Sequence, residues 1–131
     1  MARRWFVLGA LLGFLAVCMG AFGAHGLKKL PDVTPERLAW WQTGSSYAMY
    51  HALALLAAGA VALRSTSRAC AVSGWAFLAG SLVFSGTLWL MTVTGVRWLG
   101  AITPLGGLAL LVGWAALAKA AWSLPATKES P

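Results

Sequence analysis

Apolar and polar positions do not alternate in this chain. The apolar residues run on in four long stretches, and short connections between them hold most of the charge. The stretches cover about residues 5–24, 46–63, 70–91 and 98–122, followed by a polar tail over 124–131 that is expected to be disordered. A hydrocarbon core about 30 Å thick is crossed by ~20 apolar residues in helical form, at ~1.5 Å of rise each. Each stretch meets or approaches that length. The pattern predicts an all-α protein, an integral membrane four-helix bundle, with residues 1–131 forming one membrane domain.

Local signals mark the ends of these elements. Thr34-Pro35-Glu36 reads as a helix start, with Thr34 as N-cap, proline in the first turn and an acid beside it. Arg37, Leu38, Trp40 and Trp41 then make a short amphipathic segment, placed at the membrane interface before the second span, with Gly44 as a bend between the two. Arg64-Ser65-Thr66-Ser67-Arg68 reads as a tight polar loop, and Thr94-Gly95-Val96-Arg97 as the next turn. Arg3-Arg4 ahead of the first stretch resembles the start of a signal peptide. The apolar run is longer than the ~7–15 residues of a signal core, so a retained anchor is expected. Pro104 leaves two alternatives open. It kinks the fourth span, or that span begins at Thr103-Pro104 with Thr103 as its N-cap and with helix N–H groups just below the membrane surface.

Composition agrees with a lipid environment. Charged residues are 10% of the chain, against about a quarter in a soluble domain, too few to solvate a surface. The net charge of +7 does not point to nucleic acid, because the basic residues sit at the ends of the apolar stretches, where headgroups lie. The lipid bilayer is the expected partner. Arg3, Arg4, Arg64, Arg68, Lys119 and Lys128 fall on one side, and Lys28, Lys29, Arg37 and Arg97 on the other. The excess places both termini in the cytoplasm. Cys18 and Cys70 have neither zinc nor redox spacing and read as small buried side chains.

Small residues recur at steps of three and four, among them Gly9, Gly13 and Gly20 in the first span, Gly80 in the third, and Gly106 and Gly113 in the fourth. Such stripes put close-packing faces on the helices. Any small surface left over would suit a homo-oligomer or a membrane-protein partner.

The candidate chemistry is thin. His25 closes the first span and His51 stands about one and a half turns into the second, at the same surface, so the two could meet. One reading is a metal, haem or proton-handling site. The other is structural, with His51 hydrogen-bonded to a backbone carbonyl or to Tyr47, Tyr50 or Ser85. Two histidines with no nearby intramembrane acid make a poor ligand set, so no metal and no cofactor is expected. No Asp or Glu lies in any span, and no nucleophile triad or phosphate loop appears. A non-enzymatic protein that packs with partners, itself or lipids is the expectation. Two alternatives stay open: a small oligomeric transporter or channel using His51, Ser85, Thr87 and Thr103, and a redox or metal-binding subunit using His25 and His51.

Four segments carry a family resemblance. Gly20-Ala21-Phe22-Gly23-Ala24-His25-Gly26-Leu27, the run from Tyr47 to Leu56, Phe84-Ser85-Gly86-Thr87-Leu88-Trp89 and Ile102-Thr103-Pro104-Leu105-Gly106-Gly107 resemble, in order, the motifs of the YgdD/YwdK-like proteins. Ala48 stands where that family often has a polar residue, and Trp89 where tyrosine is usual. The resemblance implies a four-helix protein of the bacterial inner membrane. It implies no activity, since the family is a domain of unknown function, but it singles out His25, His51, Ser85, Thr103 and Pro104, which lie within the motifs.

Overall fold

Four long helices make up nearly all of the computed structural model, which describes residues 1–125. They are α1 (Ala2–His25), α2 (Pro35–Ala62), α3 (Arg68–Thr94) and α4 (Thr103–Trp122), with 3-10 turns at Leu27–Lys29 and Arg97–Ala101. All four are long and apolar enough to cross a membrane, and no strand occurs among the described residues. Most of the expected tail, residues 126–131, lies outside them.

The helix ends follow from their capping residues. Thr34 Oγ1 accepts from the Arg37 amide at 3.3 Å, and Pro35 opens α2. The amphipathic segment expected before the second span is the first turns of this same helix. α2 runs without a break through Gly44, which is buried against Trp89. At 28 residues α2 is ~42 Å long, more than the hydrocarbon requires. Its first turns are tied down by packing: Arg37 Nε donates to the Thr92 carbonyl at 2.6 Å, and Thr92 Oγ1 donates to the Arg37 carbonyl at 2.9 Å. α3 opens on Ser67, whose Oγ accepts from the Cys70 amide, and closes on Gly95 at φ 72°, the left-handed cap that glycine accepts without strain.

Pro104 starts α4 and does not kink it, since the helix begins at Thr103 with the proline in its first turn. Thr103 is not the N-cap, however. Ile102 holds that place, because the Thr103 hydroxyl is taken by α3 (below).

α2 and α3 pack against each other. α1 packs along α2 and α4 along α3, and the two outer helices make no substantial contact with each other. α1 is built into the protein as an anchor would be: Trp5 is fully buried, and its ring meets Trp75 of α3 edge-on at 5.4 Å. The outer helices turn large side chains to the surroundings, with Phe14 72% and Leu111 66% exposed. A protein in water would not leave these uncovered; in hydrocarbon they are solvated. Cys18 shares this outer face, against the expectation that it is buried, whereas Cys70 is buried and donates to the Ala58 carbonyl.

Close approach occurs at several of the stripe glycines. A Cβ on Gly106 would stand 2.5 Å from the Phe84 backbone nitrogen, and one on Gly9 would stand 2.9 Å from the Ala52 carbonyl oxygen. Gly80 and Gly113 are filled in the same way by Leu110 and Phe77, and Gly13 faces Ala52 more loosely. Gly20 and Gly86 have nothing within 4 Å. Replacing Gly106 with alanine is expected to destabilise the fold by about 1–3 kcal/mol through overpacking. Gly86→Ala should instead be neutral or stabilising, by up to ~1 kcal/mol from helix propensity. Thermal unfolding of both variants in mild detergent checks the opposed signs.

Candidate functional site

A polar side chain in hydrocarbon is costly unless it finds a partner, so the site is defined by which polar groups are paired and which are left over. His51 is buried on the face of α2 that meets α3 and α4. Its Nδ1 lies 2.7 Å from the Tyr47 carbonyl oxygen, and Trp114 Nε1 donates to its Nε2 at 3.2 Å. A carbonyl only accepts and an indole only donates, so these partners assign the neutral tautomer with its proton on Nδ1. Both ring nitrogens are occupied, and neither is open to a metal.

His25 does not join it. His25 is the exposed last residue of α1, whereas His51 lies sixteen residues into α2, ~24 Å down the helix axis. The expectation of a shared layer assumed a span beginning near residue 46. The helix begins eleven residues earlier, at Pro35, which puts His51 past the midpoint of α2. No group of three or more potential metal ligands occurs among the described residues.

Tyr47 and Tyr50 do assemble with His51. With Gly107, Leu110 and Trp114 they line an open groove of about 400 Å³ between α2 and α4, and Tyr47 stacks on Phe84 at 4.7 Å. Ser85 is buried on α3, yet its hydroxyl has no hydrogen-bond partner among the described residues and is not among those of His51. Ser81 Oγ and Trp5 Nε1 are likewise buried without one.

Thr103 and Thr87 pair across α3 and α4. Thr87 Oγ1 donates to the Val83 carbonyl at 2.8 Å and lies 2.7 Å from Thr103 Oγ1. Thr103 Oγ1 also lies 3.4 Å from the Leu99 carbonyl oxygen, so each hydroxyl meets a carbonyl of its own segment as well as the other hydroxyl. A second chain of bonds crosses three helices: Trp89 Nε1 donates to Ser45 Oγ at 3.1 Å, Ser45 to the Trp41 carbonyl at 2.9 Å, and Trp41 Nε1 to the Met19 carbonyl at 2.6 Å. Trp41, Trp89 and Trp114 were invisible as site residues in the sequence, because a tryptophan within an apolar run carries no sign of what its N–H meets. The one available signal was that a buried indole needs an acceptor.

The Trp41 indole also lines a second groove. It lies against Gly23 near the α1–α2 connection, and this groove, of about 420 Å³, is lined also by Ala16, Gly20 and Ala24 of α1, Lys28, and Gln42, Ser46 and Met49 of α2. Gly20, expected as a helix-packing glycine, lines this space and touches no neighbouring helix. The side chains of Lys28, Gln42 and Ser46 make no hydrogen bond or ion pair among the described residues. The exposed ion pair joins Arg97 to Glu36 at 2.8 Å, elsewhere on the same end of the protein.

Four membrane-crossing helices joined by buried polar pairs, with two lateral grooves, describe a small integral membrane protein. The chain belongs to a family of unknown function, DUF423, whose model matches residues 19–107. It is 44% identical over 121 residues to the UPF0382 membrane protein YwdK of Bacillus subtilis, covering 91% of this chain and 96% of that one. It is 42% identical to a UPF0382 membrane protein of Staphylococcus saprophyticus (86% and 91% covered) and 40% identical to one of Haemophilus influenzae (90% and 93% covered). No solved structure matches the chain.

Removing the indole donor with Trp114→Phe is expected to cost about 1–3 kcal/mol, because His51 Nε2 is left buried without a partner. For Thr87→Val and Thr103→Val, a double-mutant cycle should return a coupling of about 0.6 kcal/mol, the usual worth of such a pair in lipid. Unfolding in mild detergent measures both. Additive effects of the two threonine changes would contradict the pairing.

Proposed function

We propose that this is a non-enzymatic protein of the bacterial inner membrane, with both termini in the cytoplasm, that holds a ligand or partner within the bilayer. The observation that carries the reading is the groove between α1 and α2. Its volume falls in the ~300–1,000 Å³ range of ligand sites, and three polar side chains along it have no partner among the described residues. The side chains of His51, Thr87, Thr103, Ser45 and Thr92, by contrast, each make a hydrogen bond that joins two helices. Groups so committed are poorly placed to move a proton or to line a transport path. The orientation rests on the basic excess at the terminal end and the α2–α3 connection.

The protein extracted in mild detergent should carry a bound lipid or a second polypeptide when weighed intact by native mass spectrometry. A bare monomer from every detergent tried would end the binding reading. In intact cells, a cysteine at Thr66 should be shielded from an impermeant maleimide and one at Val96 labelled, both in a Cys18→Ser background. The reverse pattern would invert the topology.

A further inference from the structure

The polar groups of the α1–α2 groove are graded along its length. Lys28 stands at the mouth, in the connection between the helices. Gln42 comes next, and Ser46 lies one turn further along α2. Beyond them only Met49 and Ala16 line the space. From mouth to depth the groove therefore offers a cation, then neutral donors, then a purely apolar floor. A glycerophospholipid presents the complementary order: an anionic phosphate, ester carbonyls that accept hydrogen bonds, and acyl chain. We infer that the groove is a binding site for one phospholipid, with preference for a net anionic headgroup. The phosphate sits on Lys28, the ester carbonyls accept from Gln42 and Ser46, and an acyl chain lies over Gly20 toward Met49.

Charge argues for this occupant over a second copy of the chain. Lys28 and its neighbour Lys29 make no ion pair among the described residues, where the ion pair found joins Arg97 to Glu36. In a two-fold dimer formed through the groove both copies present the same patch, so the interface gathers the Lys28 and Lys29 charges of both copies, with like-charge repulsion. An anionic lipid removes that repulsion, and a cation near the membrane surface attracts it. Gly20 fits the same picture. Its empty side is not required by any helix contact, and it keeps the groove clear.

This inference rests on the binding reading above and narrows it to one ligand class. The test is native mass spectrometry of the full-length protein in mild detergent, supplied with equal amounts of phosphatidylglycerol and phosphatidylcholine. Wild-type protein is expected to retain one lipid and to favour phosphatidylglycerol. Lys28→Gln should lower that preference about fivefold while lipid is still bound. Gly20→Leu should abolish retention of both lipids with its unfolding temperature kept, because the new side chain enters open space. Retention unchanged in both variants would overturn the proposal. So would displacement of the lipid by millimolar inorganic phosphate, which would make the occupant a free anion. Cross-linking from Gly20→Cys, in a Cys18→Ser background in native membranes, separates the two levels. A protein adduct without bound lipid overturns the lipid and leaves the binding reading standing, whereas neither adduct nor lipid overturns both.

Discussion

Inside a bilayer, an apolar side chain gains nothing by leaving lipid for another helix, and every other feature of this fold answers to that constraint. Helices can be held together only where backbones come close enough for dense packing, or where polar groups find one another. The α3–α4 interface shows the first device. Gly106 lets α4 approach the Phe84 backbone, and Phe77 and Leu110 fill the notches at Gly113 and Gly80. The α2–α3 interface leans on the second, through Trp89 to Ser45 and the reciprocal bonds of Arg37 and Thr92.

The α1–α2 interface uses both devices, and they act at opposite ends. Near the chain termini Gly9 seats against Ala52, and Phe6 fits over Gly59, so the helices close. Near the α1–α2 connection the bulk of Trp41 stands between them and is held there by its bond to Met19. One indole thus tethers the two helices and forms part of the groove wall, and the groove's polar lining follows from where Lys28, Gln42 and Ser46 fall along the α1–α2 connection and α2.

Much of the architecture was legible residue by residue. The Thr34-Pro35-Glu36 start, the Ser67 and Gly95 ends of α3 and the spans themselves follow from local capping chemistry and from the length of the bilayer. The site was legible only in part. Tyr47, Tyr50 and His51 share a groove because they lie on neighbouring turns of one helix. His25 and His51 were expected to share a layer because the segment from Pro35 to Trp41 was placed along the interface with a bend at Gly44, whereas it is the start of one continuous helix. The choice left open at Pro104, with Thr103 as cap in one alternative, could not be made locally, because the hydroxyl that Thr103 meets, Thr87, is sixteen residues away in another helix.

Sequence by itself determined the solvent, the number of crossings and the faces available for close contact, since these depend on composition and on spacings within a single helix. Tertiary structure alone decided which faces met, that α1 and α4 stay apart, and which polar groups were consumed. A hydrogen bond such as Trp114 to His51 depends on the relative rotation and depth of two helices. No period within either helix encodes those two quantities; they emerge only when all the side chains compete for the same space.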